Sequence, residues 1–372
     1  MVTAMKNDGF RRAAAAAAAL LAAAAVAVTA VRTVGADGWG ILAATAMFPM
    51  QVSLPLLLTA GGQSGQTVVE PEHPGAGDPI LPEQTDPLRA RYAIPTDNTG
   101  SELIPEENRG VIQDTFYGSG SSSAYLDYKG GNINNRTEHT AAELAEALAE
   151  PLGYRVELYS SEPQVLIYHT HTNESFDRYT AGYFDRTYPT RLSDADRNMI
   201  SVGRITAEVL NAAGINTIQC QTTHDNQYNG SYQRSRASVQ ALLRQYPSIK
   251  VILDLHRDGI ESGGVRMRPI VEIDGVPAAQ FMIIAAADKE NRWDYLENLR
   301  LAARVQSASA ALYPGLARPV SFKYTTYNQD LAPGALLVEV GSHGNSLTEA
   351  QYTGYLLGQV LAKAFTDLAG EG

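Results

Sequence analysis

The sequence predicts an α/β domain in which helices cover a mostly parallel or mixed sheet. Beyond about Thr140, short apolar segments typical of buried strands alternate with longer segments whose apolar residues recur at helical spacing. Turn-forming residues separate these segments, as Gly214 and the pair Asp274-Gly275 do. Because 44% of the 372 residues are hydrophobic and only 19% are charged, the chain has enough apolar material to bury such a core.

Helical periodicity predicts five helices. The first is indicated by Leu144, Leu148 and Leu152, which recur every four residues. Gly214 ends the second helix and Pro247 follows the third, since glycine stops helices and proline does not continue them. The predicted helices cover residues 141–152, 199–213, 231–246, 293–313 and 348–368.

Apolar runs between these helices predict six strands. The run at 165–168 is apolar throughout, as expected of a strand that is buried on both faces. The pair Asp274-Gly275 separates two further runs and is a strong signal for a hairpin. The predicted strands cover residues 165–168, 215–219, 251–255, 265–273, 279–286 and 335–340.

The N-terminal residues 1–60 have the composition of a membrane segment. Three basic residues precede an uncharged, mostly alanine run at 13–31, and a second apolar run at 41–60 contains two prolines. We interpret the first run as a single-pass anchor, with a cleaved signal peptide as the alternative, and the second as a juxtamembrane segment. The basic residues predict that the chain beyond the anchor lies outside the cytoplasmic membrane.

Residues 61–135 are rich in Gly, Pro, Ser, Asn and acidic residues, and they keep no helical or strand period. This composition predicts an extended linker, with one docked piece near Phe116 and Tyr125. The predicted α/β domain covers residues 136–372.

Charge and cysteine content limit the partners and the chemistry. The formal net charge is −11, so the chain lacks the positive field that draws proteins to nucleic acid. The single cysteine, Cys220, can form neither an internal disulfide nor a cage of several thiolates. We therefore expect no nucleic-acid partner, and any metal would need histidine and carboxylate ligands.

Polar residues cluster after three predicted strands, at the positions where ligand sites of open α/β sheets collect. The first cluster comes after the strand at 165–168 and contains His171 and Glu174, whose spacing lets an imidazole and a carboxylate share one metal ion. If the strand continues, His169 lies on the same face as His171. His169 is then either an alternative ligand or a residue that positions substrate or ligands.

The second cluster contains His256, which comes after the strand at 251–255. Two histidines and one glutamate form a recognised catalytic zinc set. His171, Glu174 and His256 together therefore predict a zinc site. Taken alone, His256 is also compatible with a capped histidine at a strand end.

The third cluster places Glu339 inside the apolar run at 335–340, where a buried carboxylate is costly without a partner or a function. Beside a metal ion it would act as a general base, and the structural alternative is an ion pair with Arg257. Arg257 and Asp258 flank His256 and are expected to orient it. His224 is a candidate for the same rim, as a donor to substrate or a partner of a ligand.

Four segments of the chain resemble the stage II sporulation protein P (SpoIIP) family. This family comprises membrane-anchored cell-wall hydrolases of endospore formers, related in fold to zinc N-acetylmuramoyl-L-alanine amidases. The resemblance extends over residues 135–369, and the segments occur in the family's order. They are IYHTH at 167–171 with Glu174, YNGSY at 228–232, DLHRD at 254–258 and PGALLVEVG at 333–341.

The resemblance implies that His171, Glu174 and His256 hold Zn²⁺ and that Glu339 is catalytic. It implies hydrolysis of the N-acetylmuramoyl-L-alanine amide of peptidoglycan, and of stem-peptide crosslinks, during sporulation engulfment. It also implies a membrane complex with a SpoIID-like lytic transglycosylase and a SpoIIM-like membrane protein.

Two other functions fit the same residues. A zinc carboxypeptidase or endopeptidase acting on wall peptides would need a positive pocket for a terminal carboxylate, for which the chain offers Arg234, Arg236 and Arg257. A wall-binding module without activity would use the metal only to stabilise the fold, and the presence of both histidines and both glutamates argues against it. No serine-hydrolase or P-loop motif occurs.

Overall fold

The computed structural model describes residues 86–370, where strands and helices alternate as predicted. The strands are β1 Arg109–Thr115, β2 Tyr125–Tyr128, β3 Gly131–Arg136, β4 Val165–Tyr168, β5 Tyr183–Asp185, β6 Thr217–Gln219, β7 Val251–Asp258, β8 Glu261–Ser262, β9 Val265–Ile273, β10 Val276–Ala279, β11 Phe281–Ala287, β12 Val320–Tyr324 and β13 Gly334–Ser342. The helices are α1 Pro87–Tyr92, α2 Ala141–Ala149, α3 Met199–Ala212, α4 Ser231–Gln245, α5 Tyr295–Leu312 and α6 Leu347–Gly370. Short 3-10 turns cover Ser101–Leu103, Glu106–Asn108 and Gln329–Leu331.

Eight strands form the main sheet, in the order β2-β3-β12-β11-β13-β7-β4-β6. Strands β13, β7, β4 and β6 run parallel to one another, and β11 joins them in the antiparallel direction. Strands β12 and β3 run parallel to β11, and β2 closes that edge as an antiparallel strand. The prediction of a mostly parallel or mixed sheet is confirmed. This topology brings the carboxyl ends of four strands to one edge.

The two faces of the main sheet bury separate cores. Along β4, Val165 and Ile167 join the larger core beneath α3, α5 and α6. Leu166 and Tyr168 point the other way and pack with Val239 of α4 in a smaller core. The alternation results from the two-residue period of a strand.

Local sequence explains where two of the helices begin. Thr140 and Glu143 form a capping box at the start of α2, in which each side chain accepts a hydrogen bond from the other residue's backbone N–H. Asn198 caps α3 by accepting from the backbone N–H of Ile200. Gly214, with a φ of 79°, comes after the end of α3 in the left-handed conformation that favours glycine.

A second sheet contains five strands, in the order β10-β9-β1-β5, with β8 paired to β9. The hairpin predicted at Asp274-Gly275 is confirmed, since β9 and β10 pair antiparallel around these two residues, with φ values of 52° and 77°. The strand predicted at 279–286 is found as β11, which begins at Phe281, because Ala279 is the last residue of β10. The chain then passes through Gln280 into β11, which belongs to the main sheet.

The linker prediction is wrong for residues 109–135. Strand β1 pairs with β9 and β5 in the second sheet, and β2 and β3 form one edge of the main sheet. These strands show no apolar run, because most of their side chains are exposed or half-buried and only Ile112 and Ile133 bury large apolar side chains. A single buried residue in a short strand leaves no period to detect.

Residues 1–85 lie outside the described residues. They include the apolar runs at 13–31 and 41–60 and the first part of the predicted linker. Within residues 86–370, no helix is both long and apolar enough to cross a bilayer.

Candidate active site

Two strand-borne residues of the candidate site lie side by side on one face of the main sheet. Strands β7 and β13 pair in parallel, and their register places Glu339 beside His256. Ile252 points to the face of the sheet that α4 covers. Asp254 and His256 follow it at two-residue spacing, so their side chains point to the same face. The predicted convergence of the second and third clusters is therefore present in the fold.

His171 and Glu174 reach the same place from a turn after β4. The backbone N–H of Glu174 donates to the carbonyl of His171 across this turn, at 3.1 Å. The His171 ring stacks parallel on Tyr228, with centroids 4.6 Å apart, and meets the His256 ring edge-on at 5.2 Å. Nδ1 of His171 is buried and has no hydrogen-bond partner within residues 86–370.

Glu174 and His256 are in ion-pair contact. His256 Nδ1 lies 3.6 Å from Glu174 Oε2, and the backbone N–H of Arg257 donates to the same oxygen at 3.3 Å. Burial alone would raise the pKa of Glu174, but His256, Arg257 and His171 outweigh it and hold the pKa at about 2. Glu174 is therefore ionised at neutral pH and is available as a ligand.

Asp254 holds the other side of His256. Its Oδ1 lies 2.9 Å from His256 Nε2, and the backbone N–H and the hydroxyl of Thr170 donate to its two oxygens at 2.8 and 2.6 Å. Burial would lower the pKa of His256, but the carboxylates of Asp254 and Glu174 raise it well above the usual value. Among the described residues, Nε2 of His256 makes no hydrogen bond, so this 2.9 Å approach is an ion-pair contact, while Nδ1 of the same ring faces Glu174.

Glu339 offers an acceptor without a partner. Its Oε2 is buried and makes no hydrogen bond to any described residue. Burial raises the pKa of Glu339 to about 8, although the neighbouring His256 acts in the opposite direction. The alternative of an ion pair with Arg257 does not occur among the described contacts, because the Arg257 side chain donates to the carbonyls of Ser175, Thr190 and Asp258.

Arg257 and Asp258 support the site from its rim. Arg257 Nε donates to the carbonyl of Ser175 at 2.5 Å, which ties β7 to the segment that carries Glu174. Asp258 accepts from Arg318 at 2.9 Å. Arg257 therefore fixes the segment of Glu174 relative to β7, and the predicted role of both residues in orienting His256 stays a prediction.

His169 and His224 lie beneath the site. Strand β4 ends at Tyr168, so the chain turns before His171, and the two histidines 169 and 171 do not share a face. Nδ1 of His169 donates to the carbonyl of Leu255 at 3.0 Å and Nε2 lies 2.9 Å from Gln219 Nε2. His169 is fully enclosed, and burial lowers its pKa to about 4. Neither nitrogen is free to bind a metal.

His224 lies against α4, whereas the His169 ring packs against α3. Nδ1 of its ring donates to the carbonyl of His169 at 2.8 Å, and Nε2 lies 3.0 Å from the hydroxyl of Ser238. The next residue, Asp225, accepts from the backbone N–H of Asn173 and from Arg191. This pair therefore braces the turn of His171, and none of the hydrogen bonds of His224 goes to a predicted ligand, so its two predicted roles stay predictions.

Gly203 of α3 packs directly on His169, which leads to a stability prediction. A Cβ at this position would lie 2.7 Å from Nε2 of His169 and 2.5 Å from Nε2 of Gln219, and the hydrogen bonds of both side chains prevent retreat. We expect Gly203→Ala to lower the free energy of unfolding by about 1–3 kcal/mol. Urea unfolding measures this change. Gly259→Ala is the control, because nothing lies within 4 Å of its Cβ position; equal losses in the two variants would contradict the prediction.

Three residues of the site were not predicted from sequence. Asp254 could have been found from its two-residue spacing to His256. Tyr228 and Tyr232 belong to the YNGSY segment, whose function the sequence leaves open. Burial, with the negative charges of Asp254, Glu339 and Glu174, raises the pKa of Tyr232.

The donor set can be compared with the requirements of zinc. Ligands about 2.0–2.1 Å from a tetrahedral zinc ion lie about 3.4 Å apart, close to the 3.6 Å between His256 Nδ1 and Glu174 Oε2. In the part of the chain that the structure describes, no group of three or more His, Cys, Asp or Glu side chains forms a preformed metal site. The spacing of this pair, and the free Nδ1 of His171, nevertheless fit zinc.

All of these residues lie inside one family match. The family model of stage II sporulation protein P (SpoIIP) matches residues 106–362 of the chain. The chain belongs to the SpoIIP family. The match begins before β1, so the family region includes the strands that composition assigned to the linker.

The SpoIIP family includes a curated relative, the stage II sporulation protein P of Bacillus subtilis (strain 168). The two sequences are 27% identical over 215 residues, which is 55% of this chain. The chain matches about half (51%) of the length of that relative.

Solved structures of amidases show partial similarity to this SpoIIP-family chain. The N-acetylmuramoyl-L-alanine amidase AmiC2 of Nostoc punctiforme is 10% identical, with a TM-score of 0.35 over 57% of this chain and 99% of that one. The CwlD amidase of Clostridioides difficile, solved with the GerS lipoprotein, is 9% identical, with a TM-score of 0.35 over 56% and 100%. The amidase Ami1 of Mycobacterium smegmatis is 14% identical, with a TM-score of 0.35 over 59% and 100%.

Proposed function

We propose that this SpoIIP-family protein is a zinc-dependent peptidoglycan hydrolase that cleaves the N-acetylmuramoyl-L-alanine amide and stem-peptide crosslinks. One observation carries the proposal. Glu339 lies beside His256 on the neighbouring strand, and its Oε2 is buried without a partner among the described residues. The distance between Nδ1 of His256 and the carboxylate of Glu174 is that of two zinc ligands. A base without a partner beside a ligand pair is the arrangement that metal-assisted amide hydrolysis requires.

In this proposal His171, Glu174 and His256 hold the metal. Zinc, when bound there, polarises the scissile carbonyl and lowers the pKa of water at the site. The carboxylate of Asp254 lies in ion-pair contact with Nε2 of His256, and Arg257 fixes the segment that carries Glu174. Both supports keep the ligands in place before substrate arrives.

Glu339 moves the proton. The charge of a metal held nearby would lower the pKa of the Glu339 carboxyl group, so that it is ionised and accepts a proton from the attacking water as the water oxygen bonds to the carbonyl carbon. When the carbon–nitrogen bond breaks, the same carboxyl group gives this proton to the leaving amine. One residue thus acts first as base and then as acid.

The biological setting of the proposal rests on family membership. We propose that the domain acts on the wall outside the cytoplasmic membrane during sporulation engulfment. Its proposed partners are peptidoglycan, a SpoIID-like lytic transglycosylase and a SpoIIM-like membrane protein.

The arginines that a carboxypeptidase would need for a terminal carboxylate are engaged elsewhere. Arg236 pairs with Asp330 at 2.7 and 2.6 Å. Arg234 donates to backbone carbonyls of the loop before α4, and Arg257 also donates to backbone carbonyls. These contacts favour hydrolysis within the wall polymer over removal of a terminal residue.

Metal removal tests the proposed function. We expect the purified protein to release muropeptides from isolated sacculi, a chelator to abolish the release, and added zinc to restore it. Mass spectrometry of the products distinguishes amide cleavage, which frees intact stem peptides, from crosslink or terminal cleavage. Full activity of a protein shown to be free of metal would contradict the zinc proposal, and intact sacculi after zinc loading would contradict hydrolysis.

A further inference from the structure

Tyr232 lies over the pair of histidines that the proposed function uses. It is the second residue of α4, and its ring is nearly parallel to His256, with centroids 6.4 Å apart and planes at 13°. The same ring meets His171 edge-on at 5.7 Å. No other described tyrosine has ring contacts with both histidines.

The position of Tyr232 is held from behind by an unusual stretch of backbone. Tyr327 stacks on the Tyr232 ring at 5.4 Å, and Asn328 Nδ2 donates to the carbonyl of Tyr232 at 3.1 Å. Tyr327 and Asn328 have φ values of 44° and 58°, a conformation that side-chain-bearing residues seldom adopt. Strained residues of this kind persist where the surrounding structure requires them, often at functional sites. Here they keep the Tyr232 ring in place.

The phenol group of Tyr232 is available as a donor. Within the described residues its hydroxyl makes no hydrogen bond, whereas its main-chain carbonyl accepts from Asn328 and from the Ser235 hydroxyl. A phenol hydroxyl without a partner, on a ring held against both histidines, can donate a hydrogen bond to an oxygen that enters the site.

We propose that the hydroxyl of Tyr232 donates a hydrogen bond to the oxygen of the scissile carbonyl and stabilises the negative charge that forms on it. This inference rests on the proposed hydrolase function. As the water oxygen bonds to the carbonyl carbon, one electron pair of the C=O bond moves onto this oxygen. Tyr232 keeps its proton throughout, and the proton of the attacking water passes through Glu339 to the leaving nitrogen. A preorganised donor at such a position lowers the barrier because its hydrogen bond strengthens as the charge develops.

Removing one oxygen atom tests the inference. We expect Tyr232→Phe to lower kcat on a soluble muramoyl peptide by about 10²-fold, the loss seen when one such donor is removed, with KM changed little. Its zinc content and its melting temperature should match those of the wild type. Tyr246→Phe is the matched control, because it removes a hydroxyl at the far end of the same helix, where the group accepts only from Gln245; its kcat should be unchanged.

Binding measurements separate a catalytic role from a structural one. We expect a phosphinate analogue of the tetrahedral adduct to bind Tyr232→Phe about 10²-fold more weakly than wild type. The uncleaved peptide should bind Glu339→Gln and the Glu339→Gln, Tyr232→Phe double variant equally well. A kcat within threefold of wild type, or equal losses of analogue and peptide binding, would overturn the role of Tyr232 and leave the hydrolase proposal standing. A wild-type protein that is inactive with zinc overturns both.

Discussion

Glu339→Gln is expected to lower the hydrolysis of sacculi by about 10²–10⁴-fold, the contribution of a positioned general base. Glutamine has the shape of glutamate but cannot accept the proton of the attacking water. The proposed zinc ligands should remain in place, because His256 and Glu174 contact each other and Glu174 accepts from the backbone of Arg257 without help from Glu339. The variant should therefore bind zinc as the wild type does.

Three measurements on the same preparation check this prediction. Muropeptide release gives the activity, elemental analysis gives the zinc content, and the melting temperature reports folding. Glu138→Gln is the control, since this glutamate lies at the surface in an exposed ion pair with Lys289. Substantial turnover by Glu339→Gln would remove this residue from the mechanism.

His256→Ala is expected to lose both the metal and the activity. The substitution removes Nδ1 from the ligand pair and also takes the imidazole away from Asp254, which is 1% exposed. A buried carboxylate that loses its cationic partner costs about 3 kcal/mol, so the variant should also unfold more easily. Zinc content and urea unfolding measure the two effects.

His171→Ala separates metal loss from destabilisation. Nδ1 of His171 has no hydrogen-bond partner, and its ring packs against the exposed Tyr228, so the fold depends less on this side chain. We expect His171→Ala to lose most of the zinc while it keeps the wild-type melting profile of the metal-free protein. His139→Ala serves as the control, because His139 lies outside the site and its Nε2 is hydrogen-bonded to the hydroxyl of Tyr295. Normal zinc in both His171→Ala and His256→Ala would require a different ligand set.

The main elements and much of the site could be predicted because they obey local rules. Strand β4 is apolar throughout and is found at its predicted bounds, and α3 and α4 end within one residue of their predicted ends. In strands, alternation alone decides which side chains share a face. The spacing between Asp254 and His256, and the position of Glu339 in an apolar run, are therefore visible in the sequence.

The second sheet and the early strands were beyond such rules. Residues of β1 pair with β9, and those of β3 pair with β12, so the strands are completed by segments far along the chain. A polar strand of this kind is stable because its backbone N–H and C=O groups bond to the neighbouring strands. Its own sequence does not show which segments those neighbours are. The sequence also does not show that the chain passes from the second sheet at β10 to the main sheet at β11, because pairing with distant strands decides which sheet a strand joins.

The sequence by itself determined the residue types of the site, the strands that carry His256 and Glu339, and the turn residues that separate the elements. Only the tertiary structure separated His169 from His171. Strand β4 ends at Tyr168, so His169 enters the core behind Gly203 and the turn carries His171 to the opposite face. The end of a strand depends on its pairing partners, and here β7 pairs with β4 only as far as Asp254 and Tyr168. No local pattern contains that information.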